Sequence, residues 1–196
     1  MRHDPESLLL KRAARAPDTM GALNPRIQDW QGRRVWLVGA SSGIGEALAR
    51  SLAARGAHLA LSARRSDVLA RLAADLTMPT LELPLDVSDL PSLREACRQL
   101  LDAWGGVDLV IWLAGNYRPM RADNFDLEQA RALIDTNLLS VYNGLEVLLP
   151  VFKAQGSGGL ALVSSVAGYC GLPRSLAYGP GKAALTNLAE SLYLDL

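Results

Sequence analysis

Tyr178 and Lys182, one helical turn apart, are the residues whose types and spacing best suit acid–base chemistry. At positions i and i+4 of a helix, two side chains share a face, so an ammonium group can lie beside a phenol. A free phenol titrates near ~10, and a nearby cation favours its phenolate form. Ser165 follows an apolar run at 159–164 that predicts a buried strand ending in a hydroxyl. The alternative is that Tyr178 and Lys182 merely begin an amphipathic helix.

A glycine-rich loop near the other end of the chain predicts a dinucleotide site. It follows an apolar strand at 34–38 and precedes an alanine- and leucine-rich helix at 46–55. Gly39 permits a tight turn, Gly43 lets the backbone approach a pyrophosphate, and Gly45 lets the helix pack closely on the strand. The helix N-terminus offers free N–H groups to phosphates. The alternative is a glycine-rich turn without a ligand. The residues expected to form the site are Gly39, Ser41, Ser42, Gly43, Ile44 and Gly45.

Together these motifs resemble the shorter, single-domain branch of the short-chain dehydrogenases/reductases. The resemblance covers about residues 33–196, and it includes a helical asparagine, Asn137. It implies hydride transfer between NADP(H) and a carbonyl or alcohol substrate. Ser165 would then stabilise the substrate oxygen, and Tyr178 would give or take its proton. Lys182 would support Tyr178 and bind the nicotinamide ribose, and Asn137 would hold a water for proton relay.

The end of the second predicted strand bears on the choice of cofactor. An acidic residue there commonly binds the ribose 2′-OH, whereas an arginine accommodates a 2′-phosphate. This sequence has Ser62-Ala63-Arg64-Arg65, with no carboxylate before Asp67. We expect Arg64 to pair with a 2′-phosphate and Arg65 to add charge or stack on adenine, so that NADP(H) binds more tightly than NAD(H). The alternative is two solvated arginines at a strand end.

Further positions match the family's pattern unevenly. Asp86 and Val87, after the third predicted strand, resemble a pair that contacts adenine, although Asp86 also suits a turn. Asn137 lies among apolar residues of a helix, where an asparagine competes for main-chain hydrogen bonds. It therefore predicts a local kink and a bound water, and the alternative is an exposed polar residue of the helix.

The segment after the fourth predicted strand departs from that pattern. Ala114 and Gly115 keep a close backbone approach to the cofactor. Trp112 and Leu113 stand where the family often has two asparagines, so the polar side-chain contacts are lost. The substrate pocket is expected to include Tyr117, together with Pro119, Met120 and residues 166–176. These residues are mostly apolar, which favours an uncharged or partly hydrophobic carbonyl compound.

Helical and strand patterns alternate along the chain, which predicts a parallel sheet covered on both faces. The expected fold is an α/β, Rossmann-like doubly wound sheet with strand order 3-2-1-4-5, lacking the final strands of the resembling family. The predicted strands are 34–38, 57–63, 80–85, 107–113 and 159–164. The predicted helices are 46–55, 66–76 with Ser66 as N-cap, 89–104 with Ser88 as N-cap, 127–154, and one from about Tyr178.

The two ends of the chain carry separate expectations. Residues 1–32 are predicted to be a flexible extension, with Met20 as an alternative start, and residues 33–196 to be one domain. Leu196 falls inside a predicted helix without a C-terminal signal. We therefore expect a C-terminally incomplete reductase that keeps its catalytic side chains but has poor solubility and little turnover alone.

Composition narrows the function classes. Lys+Arg and Asp+Glu both number 20, so the formal net charge is zero. The sequence therefore lacks the excess of basic residues that is typical of nucleic-acid binding. No apolar run approaches the ~18 residues of a membrane span, and we expect a cytoplasmic protein. Cys97 and Cys170 give no disulfide framework, and His3 and His58 are too far apart for a metal site. Cys97 suits a buried helix position, His58 suits a strand, and Cys170 could border the substrate pocket.

Three hypotheses compete. The leading one is an NADP(H)-dependent oxidoreductase acting on a small carbonyl or alcohol compound. The second is a catalytically silent nucleotide-binding sensor or scaffold, and the third is a purely structural interaction protein. A homodimer or homotetramer is expected from the resemblance and from apolar residues of the last two helical regions. Those residues are Leu145, Val147, Leu148, Leu149, Val151, Phe152, Leu185, Leu188, Leu192 and Leu194.

Overall fold

The computed structural model describes residues 26–196, and the possible start at Met20 lies outside them. Five parallel strands form one sheet in the order β3-β2-β1-β4-β5, which confirms the predicted topology. The register places Val35 of the first strand between Leu59 and Leu109 of its two neighbours. The strands are β1 Arg34–Val38, β2 His58–Ser62, β3 Thr80–Glu82, β4 Leu109–Trp112 and β5 Leu160–Leu162.

Helices connect the strands and cover both faces of the sheet. They are α1 Gly43–Ala53, α2 Ser66–Asp75, α3 Leu90–Trp104, α4 Leu127–Ile134, α5 Ser140–Gln155 and α6 Tyr178–Asp195. A π-helical turn, Asp135–Leu139, joins α4 to α5, so the helical region predicted at 127–154 is interrupted where Asn137 lies. Short 3₁₀ helices occupy Ala122–Asn124 and Val166–Gly168.

The predicted helix N-caps are each wrong by one residue. The N-caps are Arg65 and Asp89, and neither makes a side-chain capping hydrogen bond. Ser66 is already the first residue of α2. Before α3, the Ser88 N–H donates to the Asp86 carboxylate, and the Asp89 N–H donates to the Asp86 carbonyl. This local turn uses Ser88, so the helix begins later.

Alternate strand residues enter two apolar clusters, one on each face of the sheet. Trp36 and Trp112 lie in the cluster with residues of α3, α5 and α6. Leu37 and Ile111 lie in the other, with residues of α1 and α2. Because both faces are covered, the strands are apolar almost throughout, as in other parallel sheets.

The two strand tryptophans differ in their hydrogen bonding. Trp36 Nε1 donates to Ser62 Oγ at 2.8 Å. Trp112 Nε1 is the one buried side-chain polar atom without a partner among residues 26–196. Trp112 also lies against α5, where a Cβ added to Gly144 would come within 2.6 Å of its ring. Trp112, the last residue of β4, therefore makes a large apolar contact with α5.

The described part of the N-terminal segment contacts the domain. The Gly32 N–H donates to the Gly56 carbonyl at 2.8 Å, and Trp30 packs against the cluster beside α1 and α2. His58 lies on β2 as predicted, and Cys97 is buried on α3, where burial raises the pKa of its thiol to about 11. Within residues 26–196, no helix is both long and apolar enough to cross a bilayer.

Candidate active site

The loop after β1 depends on its glycines for two different reasons. Gly39 has a φ of +102°, and a Cβ there would lie 2.6 Å from the Ala114 nitrogen. Gly45 packs on the same turn, since its Cβ would lie 3.0 Å from the Ala40 Cα. Gly43 has a φ of +57° with open space around it. Two glycines thus permit close packing, and the third leaves the backbone accessible.

The N-terminus of α1 presents unpaired donors beside this loop. Ser42 is the N-cap and makes no side-chain capping bond. In the described chain, the N–H groups of Gly43, Ile44 and Gly45 have no main-chain acceptor, and Ile44 is 65% exposed. Free N–H groups and the positive end of the helix dipole favour an anion here.

Two arginines follow β2 at the same edge of the sheet. The Arg65 guanidinium donates to Ser41 Oγ at 3.1 Å and to the Ser41 carbonyl at 3.2 Å. Arg64 is exposed and, within residues 26–196, has no hydrogen bond or ion pair. Asp67, the first carboxylate after them, pairs with Arg71 at 2.9 Å. In this part of the described chain, the Arg64 guanidinium is therefore unpaired, and the Asp67 carboxylate is already paired.

Asp86 and Val87 lie after β3, as expected. Asp86 Oδ1 accepts from the Ser88 N–H at 2.9 Å, so this residue does form a turn. Val87 is buried, and its carbonyl accepts from Asn143 Nδ2 at 3.3 Å. The turn fixes both residues beside the sheet edge that also carries Gly39.

The residues predicted for catalysis meet where the loop after β5 packs on α6. Lys182 is 5% exposed, and its Nζ donates to the Val163 carbonyl at 2.8 Å. The same Nζ lies 5.8 Å from the centre of the Tyr178 ring. Burial lowers the pKa of Lys182, because its ammonium group loses solvation. Ser165 is the N-cap of the next 3₁₀ helix, and its Oγ accepts from the Ala167 N–H at 3.2 Å.

Two contacts fix that loop against the helix. Ser164 Oγ donates to the Lys182 carbonyl at 2.9 Å. A Cβ on Gly168 would lie 2.9 Å from the Lys182 carbonyl carbon, so only glycine fits this approach. The main chain on either side of Ser165 is thus attached to the turn of α6 that carries Lys182.

Asn137 is almost fully buried and lies in the π-helical turn. Its Nδ2 donates to the Leu133 and Asn116 carbonyls, each at 2.9 Å, and its Oδ1 accepts from the Asn116 N–H at 3.0 Å. The alternative of an exposed polar residue is therefore wrong. A Cβ on Gly115 would lie 2.6 Å from Asn137 Oδ1 and 3.6 Å from Lys182 Nζ, so these three residues converge.

The pocket residues predicted after β4 have different environments. Tyr117 is 51% exposed, and its ring meets the Tyr178 ring at 5.1 Å and 76°, an edge-to-face contact. Met120 does not line an open pocket as expected. It is 1% exposed and packs with Ala130, Leu133 and Ala177 beneath the loop. After β5, the large apolar residues Val166, Tyr169, Leu172 and Leu176 are exposed, and so is Cys170.

Asn116 is a residue of this region that the sequence did not single out. Its main-chain N–H and carbonyl both bind the Asn137 side chain. Every residue type except proline supplies those two main-chain groups, so they gave no sequence signal. Asn137 Nδ2 also donates to Asn116 Oδ1 at 3.3 Å. The place of Asn116 directly after Gly115 was the only available indication.

Comparison with known proteins agrees with this geometry. A family model described as short chain dehydrogenase matches residues 33–196. An uncharacterized oxidoreductase of Mycobacterium tuberculosis is 40% identical over 166 residues, which are 82% of this chain and 66% of the relative. The human dehydrogenase/reductase SDR family member 7 is 32% identical, over 96% of this chain and 60% of its own length.

Solved structures give the same result. A short-chain dehydrogenase/reductase from Mycobacterium marinum matches with a TM-score of 0.80 and 29% identity, over 86% of this chain and 70% of that one. A short-chain dehydrogenase/reductase from Burkholderia phymatum in complex with NAD matches with a TM-score of 0.81 and 27% identity, over 87% and 62%. The chain spans about two thirds of the length of the curated relatives that it matches.

Proposed function

The chain belongs to the short-chain dehydrogenase family, and on that premise we propose that it is an NADP(H)-preferring oxidoreductase. Its reaction is a hydride transfer between the cofactor and a carbonyl or alcohol carbon. Ser165, Tyr178 and Lys182 are the proposed catalytic residues, with Asn137 in support. The observation that carries the proposal is the convergence of the Lys182 ammonium with the Tyr178 ring and with Asn137.

The residues of the nucleotide site fit a nicotinamide dinucleotide. At Gly39 and Gly45 a Cβ would clash with neighbouring main-chain atoms. At Gly43 there is open space, so a ligand can approach the backbone. The N–H groups at the start of α1 would bind the pyrophosphate. Ala114 and Gly115 border the same crevice, since Ala114 touches the Gly39 position. The bound cofactor supplies or accepts the hydride, and the protein supplies orientation and electrostatics.

The proposed preference for NADP(H) rests on Arg64. Its guanidinium is unpaired within the described chain, and a 2′-phosphate would provide a bidentate partner. Arg65 instead bonds to Ser41, so it supports the glycine loop and adds positive charge. Asp86 and Val87 are the proposed contacts of the adenine ring.

Proton transfer in this proposal is assigned to Tyr178. In reduction its hydroxyl donates a proton to the substrate oxygen, and in oxidation the phenolate accepts one. Ser165 Oγ donates a hydrogen bond to the same oxygen and stabilises its developing charge. Lys182, which is buried with its ammonium group beside the Tyr178 ring, is assigned the support of this proton transfer.

The Asn137 side chain has few hydrogen-bonding groups left to bind the water of the proton relay. A carboxamide has two donors and two acceptor lone pairs. Both Nδ2 hydrogens and one Oδ1 lone pair are used by Leu133 and Asn116. The other Oδ1 lone pair is unused within residues 26–196, and Oδ1 and Lys182 Nζ both lie near the Gly115 backbone, since an added Cβ there would approach both. We assign the relay water to that lone pair, as an acceptor from water.

A binding titration and a turnover assay with one variant test the function. NADPH binding is followed by its fluorescence, and turnover by NADPH consumption with benzaldehyde and cyclohexanone as probes. We expect binding and carbonyl reduction in the wild type, and binding without reduction in Tyr178→Phe. Tyr142→Phe, which alters a half-exposed tyrosine on α5, is the control and should retain turnover. Binding without turnover by the wild type would favour the silent sensor, and equal turnover in Tyr178→Phe would refute the acid–base assignment.

We also propose a cytoplasmic homodimer or homotetramer. Of the residues that suggested an interface, Leu145, Leu148 and Leu185 are buried in the core and cannot form it. Leu194 is 46% exposed, and the other apolar residues named for this role are partly buried. Sedimentation at micromolar concentration distinguishes the assembly from a monomer.

A further inference from the structure

The Tyr178 hydroxyl lacks a fixed partner of its own. Among residues 26–196, it makes no hydrogen bond, and Tyr178 is the first residue of α6, where the helix begins. Proton transfer requires a side chain held close to its productive geometry. Something other than a hydrogen bond must therefore restrain the ring.

Two neighbours contact the Tyr178 ring. Lys182 Nζ lies 5.8 Å from its centre, and the Tyr117 ring meets it edge to face at 5.1 Å and 76°. An edge-to-face pair directs the positive edge of one ring at the negative face of the other, so it opposes rotation of either ring. Tyr117 comes from the loop after β4, whereas Lys182 comes from the same helix as Tyr178. Tyr117 thus supplies a restraint that is independent of α6.

Tyr117 is itself held by a connection between two loops. Its hydroxyl donates to the Arg174 carbonyl at 3.4 Å, and the Met120 N–H donates to the same carbonyl at 2.9 Å. Arg174 has a φ of +62°, the one non-glycine residue with positive φ in residues 26–196. Met120 is buried beneath this connection and packs against Ala177, the residue before Tyr178. The connection fixes the loop that carries Tyr117 close to the start of α6.

We propose that Tyr117 is a positioning residue for Tyr178: its ring holds the Tyr178 ring so that the hydroxyl faces the substrate oxygen. The inference rests on the proposed function for its effect on catalysis. The restraint itself depends only on the ring contact. Tyr117 is half exposed and lies outside both core clusters, so its role in global stability is small.

Fluorine NMR tests the restraint without requiring turnover. All five tyrosines are replaced by 3-fluorotyrosine, and the Tyr178 resonance is assigned by its loss in Tyr178→Phe. In Tyr117→Leu we expect this resonance to move and sharpen, because the neighbouring ring current is gone and the ring rotates more freely. Tyr117→Phe keeps the ring, and the Met120–Arg174 hydrogen bond still fixes the loop, so this variant should preserve the shift. An unchanged Tyr178 resonance in Tyr117→Leu would overturn the proposal whether or not the protein is active.

Turnover tests the consequence for catalysis. With NADPH and benzaldehyde, Tyr117→Leu should lose at least about tenfold in kcat, while the Kd for NADPH stays within about twofold. Tyr117→Phe should recover most of that loss, and Tyr142→Leu, the matched half-exposed control, should show none. A displaced resonance with unaltered kcat would overturn the positioning role. Absence of turnover in the wild type would refute the proposed function instead, and the NMR result would still decide the restraint.

Discussion

The Arg65 guanidinium donates to Ser41 twice, to its hydroxyl at 3.1 Å and to its carbonyl at 3.2 Å. The contact joins the residue after β2 to the glycine loop after β1. The two adjacent arginines therefore differ: Arg65 is hydrogen-bonded within the protein, and Arg64 is not. The same dipeptide thus supplies both loop support and a free cation.

Cofactor preference should follow this division. Arg64→Ala should raise the Kd for NADPH by about tenfold or more and leave the Kd for NADH nearly unchanged, because only NADPH carries the 2′-phosphate. Arg65→Ala should weaken both cofactors, since it loosens Ser41. Arg71→Ala is the control, because Arg71 already pairs with Asp67. Fluorescence titration measures all three, and an unchanged NADPH preference in Arg64→Ala would contradict this assignment.

The buried ammonium of Lys182 should make stability depend on pH in a defined direction. Burial lowers its pKa below ~10.4, the value of an exposed lysine. At a pH between the pKa of Lys182 in the folded chain and its higher pKa in the unfolded chain, the unfolded chain binds more protons. The free energy of unfolding therefore rises with pH. Relative to Lys182→Met, the wild-type free energy of unfolding should therefore increase as the pH rises toward ~10.4, by at most about 1.4 kcal/mol per pH unit.

Urea unfolding at several pH values measures the difference between the two proteins. Both proteins carry Tyr178→Phe, because Tyr178 is an ionisable neighbour of Lys182. Titrations of the remaining groups are common to both and largely cancel. Lys153→Met, at an exposed position of α5, controls for the loss of a lysine. A difference that falls as the pH rises would show that the folded state favours the charged form of Lys182.

The two strand tryptophans should respond unequally to the same substitution. Trp36→Phe removes the partner of Ser62 Oγ and leaves a buried hydroxyl unsatisfied. Trp112→Phe removes a donor that has no partner. Both lose similar apolar volume, so Trp36→Phe should be more destabilising by about 1–3 kcal/mol in chemical denaturation. Equal losses would indicate that the Trp36–Ser62 bond contributes nothing.

Replacing two helical glycines with alanine should change the free energy of unfolding in opposite directions. Apart from its chain neighbours and the helix backbone, no heavy atom lies within 4 Å of a Cβ at Gly181, whereas a Cβ at Gly144 would clash with the Trp112 ring. Gly181→Ala should raise the free energy of unfolding by up to about 1 kcal/mol through helix propensity. Gly144→Ala should lower it by about 1–3 kcal/mol through overpacking. Thermal melts of the two variants decide, and a stabilised Gly144→Ala would refute the close contact.

The sheet was predictable because alternating patterns and a glycine loop in a strand–loop–helix context follow from local sequence. The fold class and strand order are confirmed. The convergence of Lys182 with Asn137 was not predictable from spacing, because it arises only when the π-helical turn packs against α6. Met120 was misplaced for a related reason. Its apolar side chain suits a pocket wall and a core equally, and only packing against Ala130 and Leu133 decides between them.

The π-helical turn at Asp135–Leu139 sets the rotational phase of α5. Asn137 Nδ2 occupies the Leu133 carbonyl, the acceptor that a regular α-helix would offer to the Asn137 main-chain N–H. If that turn reverted to α-helix, α5 would rotate by about 100° about its axis. Gly144 would then no longer face Trp112, and a bulkier residue would have to meet the ring. A substitution at Asn137 would therefore affect the rotation of α5 about its axis as well as remove the amide. The close packing of α5 on Trp112 opposes that rotation.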